Sequence, residues 1–218
     1  MDPVELSPKR ESDRVEIELR EKILTLEIDP GLAISEASLI NRYHWGRTPL
    51  REAFQRLAEQ SLLQIIPRHG VVITPLSVFE FFEVMEAMAM VIGPAASLAC
   101  KYLTEKEIIQ LQQSITQSEL ATSSSDFITI AAQDYKFHRI LAIATRNRYL
   151  SRHLLHLHQV ATRFNLASWK RDANAEFSLK EHNKILESLQ SRDEELVQSV
   201  MLEHIENARK RVMGTFQS

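Results

Sequence analysis

The stretch GRTPLREAF at residues 46–54 decides the fold of the first third of this 218-residue chain. Thr48 is the expected N-cap of a helix, and Pro49 takes the first helical position, where a missing N–H is tolerated. Arg47 and Arg51 lie about one turn apart, so both side chains can project from the N-terminal end of this helix. The apolar residues that form its buried face repeat at helical spacing: Leu50, Phe54 and Leu57.

The segments on either side of this helix complete a recognisable order of elements. Residues 14–28 form a predicted helix that ends at a Pro-Gly turn, and Ser35 caps a second, short helix. Two β-type runs follow the third helix, at residues 63–66 and 71–74, with a turn at residues 67–70 between them. Helix, helix, turn, helix and hairpin is the order of a winged helix-turn-helix.

Charge and motif together point to a surface that contacts DNA. Residues 37–75 carry five arginines and two glutamates, a net +3 within a chain of net −3. Arginine offers a fork of donors to guanine or phosphate, and a helix N-terminus attracts anions. The alternative is a solvated helix face in which Arg51 pairs with Glu52 or Glu59. We predict that seven residues contact DNA: Arg42, Arg47, Thr48, Arg51, Arg68, His69 and Gly70.

The remainder of the chain is predicted to be entirely helical. Apolar periodicity and turn residues place six helices at 77–101, 104–120, 126–145, 147–169, 174–190 and 193–214. The fold class is therefore mainly α, with the winged helix followed by an antiparallel all-α bundle. The expected domains are residues 1–75 and 76–218.

Composition excludes several broad classes of protein. A single cysteine rules out an internal disulfide framework and suits a reducing compartment. The longest uncharged run, residues 87–100, is shorter than a membrane span, so we interpret it as a buried core helix. Residues 1–14 have no apolar signal-peptide core. We expect a cytoplasmic protein with no membrane partner.

One aspartate and three histidines in the predicted bundle have the chemistry of a metal site. Asp134 and His138 are four residues apart and share a helix face, whereas His182 and His204 lie on two further helices. Convergence of the four would give an N₃O site for a divalent metal: Zn²⁺, or alternatively Ni²⁺ or Mn²⁺. Eight histidines offer such combinations by chance, so spacing alone leaves ordinary packing open.

A second histidine cluster, His153, His156 and His158, does not form a clean tridentate site. The first two share a helix face and the third does not, so we interpret all three as partly exposed polar positions. The run containing Met88 and Met90 is interpreted as core or dimer packing.

Residues 12–75 resemble the GntR-type winged-helix repressors. The resemblance is carried by residues 28–31, Leu39, Tyr43, the Arg-Thr-Pro-Leu-Arg-Glu-Ala block from Arg47, and Leu62-Leu63. These repressors usually have Ser or Thr where this chain has Gly46, which implies a weaker phosphate contact or a shifted helix start. Trp45 in the turn is also unusual for the family.

The helical half resembles the FCD effector domain of the FadR-type branch of that family. The resemblance is carried by Asp-x-x-x-His at 134–138, Glu181-His182 and His204-Ile205. It implies that Asp134, His138, His182 and His204 are ligands of a buried metal that helps to hold a small carboxylate effector. The arginine that commonly binds the effector's acid group is replaced by Met88. Arg163 and Asn207 are therefore the expected alternatives for that contact.

These observations predict a metabolite-responsive transcriptional regulator, acting as a repressor and as a homodimer on a palindromic double-stranded operator. Three histidines and an aspartate also leave room for a metal-dependent hydrolase, although no general base stands out. A helical interaction protein that does not bind DNA is the other alternative. We expect no enzymatic activity, and salt-dependent DNA binding separates the first hypothesis from the other two.

Overall fold

The structure is a computed structural model that describes residues 10–67 and 70–217, the last without its side chain. The chain divides into two compact units between Leu76 and Ser77. The described residues of the first unit form three helices and three strands: α1 (Glu11–Leu24), β1 (Ala33–Ile34), α2 (Glu36–Tyr43), α3 (Arg47–Glu59), β2 (Leu63–Ile66) and β3 (Gly70–Ile73).

The first unit is a winged helix-turn-helix, as predicted. Helices α1 and α3 pack against each other, and the three strands form an antiparallel sheet in the order β1-β3-β2. Ala33 pairs with Val72, so β1 adds a third strand to the expected hairpin. The core is formed by apolar side chains from every element, among them Val15, Leu19, Leu50, Leu57, Leu63 and Ile73.

Two local predictions in this unit need correction. Helix α3 begins at Arg47 with Gly46 as its N-cap, so Thr48 lies within the first turn and is not the capping residue. The backbone of Gly46 is extended and its carbonyl accepts the first helical bond from Leu50. Helix α1 ends at Leu24, four residues early, because Leu26 adopts a left-handed conformation that stops the helix.

The second unit is an all-α bundle, also as predicted. Each helix lies within three residues of its expected bounds at both ends. The helices are α4 (Val78–Tyr102), α5 (Glu105–Ser123), α6 (Phe127–Ala144), α7 (Arg148–Asp172), α8 (Ala175–Gln190) and α9 (Glu194–Gln217). Polar N-caps define several starts; Thr104 and Glu107, for example, form a reciprocal capping box at α5.

Helix α4 is long and apolar enough, by length and composition alone, to cross a membrane. In the bundle it packs against α9, α7 and α6, and Phe81, Met88 and Ile92 are buried there. This packing agrees with the interpretation of α4 as a core helix. Met88 has no exposed surface. At the position where the FCD resemblance implies an arginine, this chain therefore has a side chain of the apolar core.

Candidate nucleic-acid interface and metal centre

The N-terminal end of α3 presents polar and cationic groups to solvent. The side chains of Arg47 and Arg51 are 69% and 63% exposed, and Thr48 is exposed beside them. The opposite face of the same helix is buried in the core of the winged helix. This amphipathic arrangement leaves the first turn of α3 able to approach a nucleic-acid groove.

A single carboxylate on α2 contacts both arginines. Glu36 Oε1 lies 3.2 Å from Arg47 Nε, and Glu36 Oε2 lies 2.8 Å from Arg51 Nε. The ion-pair partner of Arg51 is therefore Glu36. The alternative hypothesis of a solvated helix face had expected Glu52 or Glu59 instead. Exposed ion pairs of this kind contribute little stability, so DNA phosphates can compete for these arginines.

The other residues of the predicted DNA surface lie in different surroundings. Arg42 is exposed, 3.6 Å from a carboxylate oxygen of Glu27. Arg68 and His69 lie outside the described residues. Gly70 opens β3 with φ of +95°, and a Cβ atom there would lie 2.4 Å from the carbonyl oxygen of Ile34. Glycine is therefore required by the sheet itself, independently of any contact with DNA.

Trp45 precedes the recognition helix but is a packing residue. It is 2% exposed, stacks on Tyr43 at 4.6 Å between ring centroids, and donates a hydrogen bond from Nε1 to Glu18 Oε2 at 2.7 Å. These contacts tie the turn between α2 and α3 to α1.

In the bundle, the four predicted metal ligands converge. Asp134 and His138 come from α6, His182 from α8 and His204 from α9, and all four are 3–4% exposed. His138 Nε2 lies 3.2 Å from His182 Nε2 and 3.3 Å from His204 Nε2. Asp134 Oδ1 lies 3.5 Å from His182 Nε2 and 4.0 Å from His138 Nε2.

These distances fit a divalent metal. Ligand atoms about 2.0–2.1 Å from a tetrahedral Zn²⁺ lie about 3.3 Å from one another. The nitrogen pairs of His138 match that spacing. Among the described residues, the ligand atoms that all lie within 4.8 Å of one another are those of the three histidines, and Asp134 Oδ1 lies beside them, 3.5 Å from His182 Nε2. When each of the three rings carries its proton on Nδ1, the three Nε2 lone pairs converge at one buried place, and a cation there would stabilise them. The three-histidine cluster could therefore hold a metal ion.

The electrostatics of the cluster suit the same chemistry. Burial and the neighbouring histidines hold the pKa values of His138 and His182 well below the ordinary value, so both rings are neutral and able to coordinate. Burial raises the pKa of Asp134 to about 6, and the neighbours His204 and Arg211 together with a hydrogen bond from Ser178 oppose that rise. A bound cation favours the carboxylate form of such a residue.

Two residues behind His204 were not predicted as part of the site. His204 Nδ1 lies 2.8 Å from Glu181 Oε2, and Arg211 donates to both oxygens of Glu181 at 2.7 and 2.8 Å. Burial alone would raise the pKa of Glu181, but these hydrogen bonds lower it to about 2. The sequence carries a partial signal, because Glu181 precedes His182 and Arg211 follows His204 by two helical turns.

The prediction that His158 is partly exposed was wrong, because this residue is buried in the bundle. It is 5% exposed, and its ring stacks on that of His138 with 4.2 Å between centroids. Burial lowers the pKa of His158 to about 3, so the ring is neutral. His153 is exposed and His156 partly buried, in line with the prediction for those two positions. His158 and His138 also line a narrow apolar crevice with Ile92, Leu154 and Met201.

The two predicted effector contacts differ in environment. Arg163 on α7 is completely buried; burial lowers its pKa, and the negative charge of Glu80 on α4 opposes that shift. Asn207 on α9 is partly exposed, three residues after His204. Asn207 therefore lies about one helical turn from His204, and Arg163 is a buried cation within the electrostatic influence of Glu80.

Comparison with known proteins identifies both halves of the chain. Residues 11–73 match the gntR family of bacterial regulatory proteins, and residues 83–207 match the FCD domain. The chain is 27% identical to the HTH-type transcriptional repressor RspR of Escherichia coli over 194 residues, which cover 89% of this chain and 85% of that protein. It is also 27% identical to the Nta operon transcriptional regulator of Aminobacter aminovorans, with coverage of 81% and 82%.

Solved structures agree on the fold. Escherichia coli McbR/YncC superposes with a TM-score of 0.85 at 17% identity, covering 95% of this chain and 99% of that one. A GntR family member from Pseudomonas syringae pv. tomato superposes with a TM-score of 0.56 at 25% identity, covering 95% and 86%. The curated relatives are transcriptional regulators and not enzymes, so the hydrolase alternative is abandoned. The chain belongs to the GntR family of transcriptional regulators and carries a GntR DNA-binding domain followed by an FCD effector domain.

Proposed function

We propose that this regulator is a metal-dependent, metabolite-responsive repressor that acts in the cytoplasm as a homodimer. The observation that carries the proposal is the buried cluster of Asp134, His138, His182 and His204, whose nitrogens are spaced as ligands of one ion. We propose Zn²⁺ as the resident metal, with Ni²⁺ or Mn²⁺ as alternatives. The relative named as a repressor supports this direction of regulation.

The DNA-binding proposal rests on the exposed first turn of α3. Arg47 and Arg51 are placed to contact base edges or phosphates, and Thr48 can donate to a phosphate. We propose Arg42, Arg68, His69 and Gly70 as further DNA contacts. In a two-fold dimer, two such helices would read the half-sites of a palindrome in successive major grooves. We assign residues 1–75 to this role and residues 76–218 to effector binding and dimerisation.

The proposed effector is a small molecule that bears a carboxylate. With Met88 packed in the core, the acid group would be met by the metal, with Asn207 as the nearest of the two predicted side-chain contacts along the chain. Arg163 remains a proposed contact from α7. Effector and metal would together favour one of two geometries of the bundle, and that choice would change the affinity for DNA.

The homodimer proposal is supported by an apolar surface on α4. Phe79 and Met90 are 84% and 71% exposed, although they are large apolar residues. They are eleven residues apart, close to three helical turns, so they lie on the same face. An exposed pair of this kind is typical of a face that packs against another molecule. Size-exclusion chromatography with light scattering measures whether the chain is a dimer.

The first experiment compares metal content in the wild type and in a quadruple variant that lacks all four ligand side chains. Elemental analysis should find about one transition metal per wild-type chain and none in the variant. The same two proteins are then tested on DNA selected in vitro by the wild type. Equal metal content in both proteins would refute the site, whereas failure of the wild type to enrich any DNA sequence, or DNA binding that does not weaken as salt is raised, would refute the regulatory proposal.

A further inference from the structure

The side of His204 that faces away from the metal cluster contacts a buried carboxylate. Its Nδ1 lies 2.8 Å from Glu181 Oε2 and its Nε2 lies 3.3 Å from His138 Nε2, so the two ring nitrogens face different partners. The side chains of His204 and Glu181 are 5% and 13% exposed. Both therefore lie inside the bundle, where water competes poorly for the hydrogen bond between them.

We propose that Glu181 and Arg211 are positioning residues that hold His204 in the tautomer able to bind a metal, and so set the metal affinity of the cluster. This inference rests on the metal site proposed above. Neutral imidazole carries one N–H. When that proton is on Nδ1 and is donated to Glu181, Nε2 presents its lone pair to the cluster. The opposite tautomer would direct an N–H at the position of the ion.

Arg211 fixes the carboxylate that fixes the histidine. Its two terminal nitrogens donate to the two oxygens of Glu181 at 2.7 and 2.8 Å, a bidentate geometry that restricts rotation of the carboxylate. The Arg211 side chain is only 17% exposed, and its charge compensates that of the buried Glu181. Glu181 on α8 is thereby held between two residues of α9, His204 and Arg211.

The other two histidines are oriented in a different way. The ring of His182 stacks on Phe137 with 4.3 Å between centroids, and the ring of His138 stacks on His158. The Nδ1 atom of His138 is buried and has no hydrogen-bond partner among the described residues. The Nδ1 atom of His204 thus has a carboxylate partner that the Nδ1 atom of His138 lacks, so removal of Glu181 should weaken metal binding through His204.

The test uses the full-length chain, Glu181→Gln, Arg211→Gln and a matched control. Glu206→Gln is the control because Glu206 also accepts two hydrogen bonds from an arginine, Arg209, at 2.8 Å each, but lies on the partly exposed surface of α9. Affinity for Zn²⁺ is measured by competition with a chromophoric chelator, and the thermal midpoint of each metal-free protein is measured in parallel. We expect E181Q to lose about 10–100-fold in Zn²⁺ affinity, R211Q to lose less, and E206Q to match the wild type.

The outcomes separate this inference from the proposed metal site. Wild-type protein that binds no Zn²⁺ would refute the site and the inference together. If the wild type binds Zn²⁺ and both E181Q and R211Q bind it with the same affinity, only the positioning role is refuted. A purely structural role for Glu181 is recognised by a lower thermal midpoint of metal-free E181Q with unchanged Zn²⁺ affinity, which also overturns the inference.

Discussion

Gly70 offers a test of whether a residue of the predicted DNA surface is required by the fold. It opens β3 with φ of +95°, outside the range that other residues readily adopt. A Cβ atom built on it would lie 2.4 Å from the carbonyl oxygen of Ile34 and 3.2 Å from Cα of Ser35. Both are backbone atoms, so Gly70→Ala must displace β3 from β1 or change the backbone of Gly70 itself.

The expected loss of stability follows from these contacts. The positive φ costs about 1–2 kcal/mol for a residue with a Cβ. Displacement of β1 weakens one or two backbone hydrogen bonds, each worth about 0.5–1.5 kcal/mol. The lower entropy of the unfolded alanine chain offsets about 0.4–1 kcal/mol. The free energy of unfolding of the winged helix should therefore fall by about 2 kcal/mol.

The assay follows the winged helix by itself. The chain has two tryptophans, and Trp45 is buried in the winged helix whereas Trp169 is buried in the bundle. In a Trp169→Phe background, the fluorescence of Trp45 during urea unfolding reports on the first unit. Gly31→Ala is the matched control, because Gly31 lies in the same unit with φ of +80°, and an added Cβ there would meet, among the described residues, only Pro75 Cβ, at 3.9 Å. It carries the cost of a positive φ without the backbone clash, so it should lose less stability than Gly70→Ala. A G70A midpoint equal to that of the parent would refute the steric reasoning.

Further outcomes follow from the two sites. Arg47→Ala should weaken binding to selected DNA about 10-fold or more, measured by fluorescence anisotropy, and an unchanged affinity would remove Arg47 from the interface. Glu36→Gln, which removes the carboxylate shared by two arginines, should tighten binding to random-sequence DNA, and a weaker affinity would contradict that reasoning. His138→Ala should abolish metal binding in elemental analysis; retention of one metal per chain would exclude His138 as a ligand. Chelation of the metal should lower the thermal midpoint of the wild type, since a ligand bound only by the folded state stabilises it. Met90→Glu should shift the chain towards monomer in light scattering, and a dimer of unchanged affinity would place the interface elsewhere.

Much of the fold could be predicted because its signals are local. The stretch at residues 46–54 carries the helix start, the apolar face and the exposed arginines within nine positions. The bundle helices were bounded to within three residues by polar caps and apolar periodicity, because both act over a single turn of chain. Strand β1 was not predicted, since two residues carry no periodicity and Ala33–Ile34 pairs with a strand far along the sequence.

The candidate metal site was predicted unevenly for a related reason. Asp134 and His138 share a helix face by spacing alone, but their convergence with His182 and His204 depends on how α6, α8 and α9 pack. His158 was interpreted as a partly exposed polar position because it does not share a helix face with His153 and His156, and the three therefore form no clean tridentate site. In the bundle its own face is turned inward onto His138.

The sequence by itself determined the elements other than β1, the cationic start of α3 and the four side chains that have the chemistry of metal ligands. It did so because capping, periodicity and residue chemistry are properties of short stretches. Only the tertiary structure decided which groups meet. Glu36 contacts Arg47 and Arg51, Gly70 lies against the Ile34 carbonyl, and Glu181 contacts His204. These contacts join residues on different elements, and packing fixes their distances to a few tenths of an ångström in ways that no local pattern encodes.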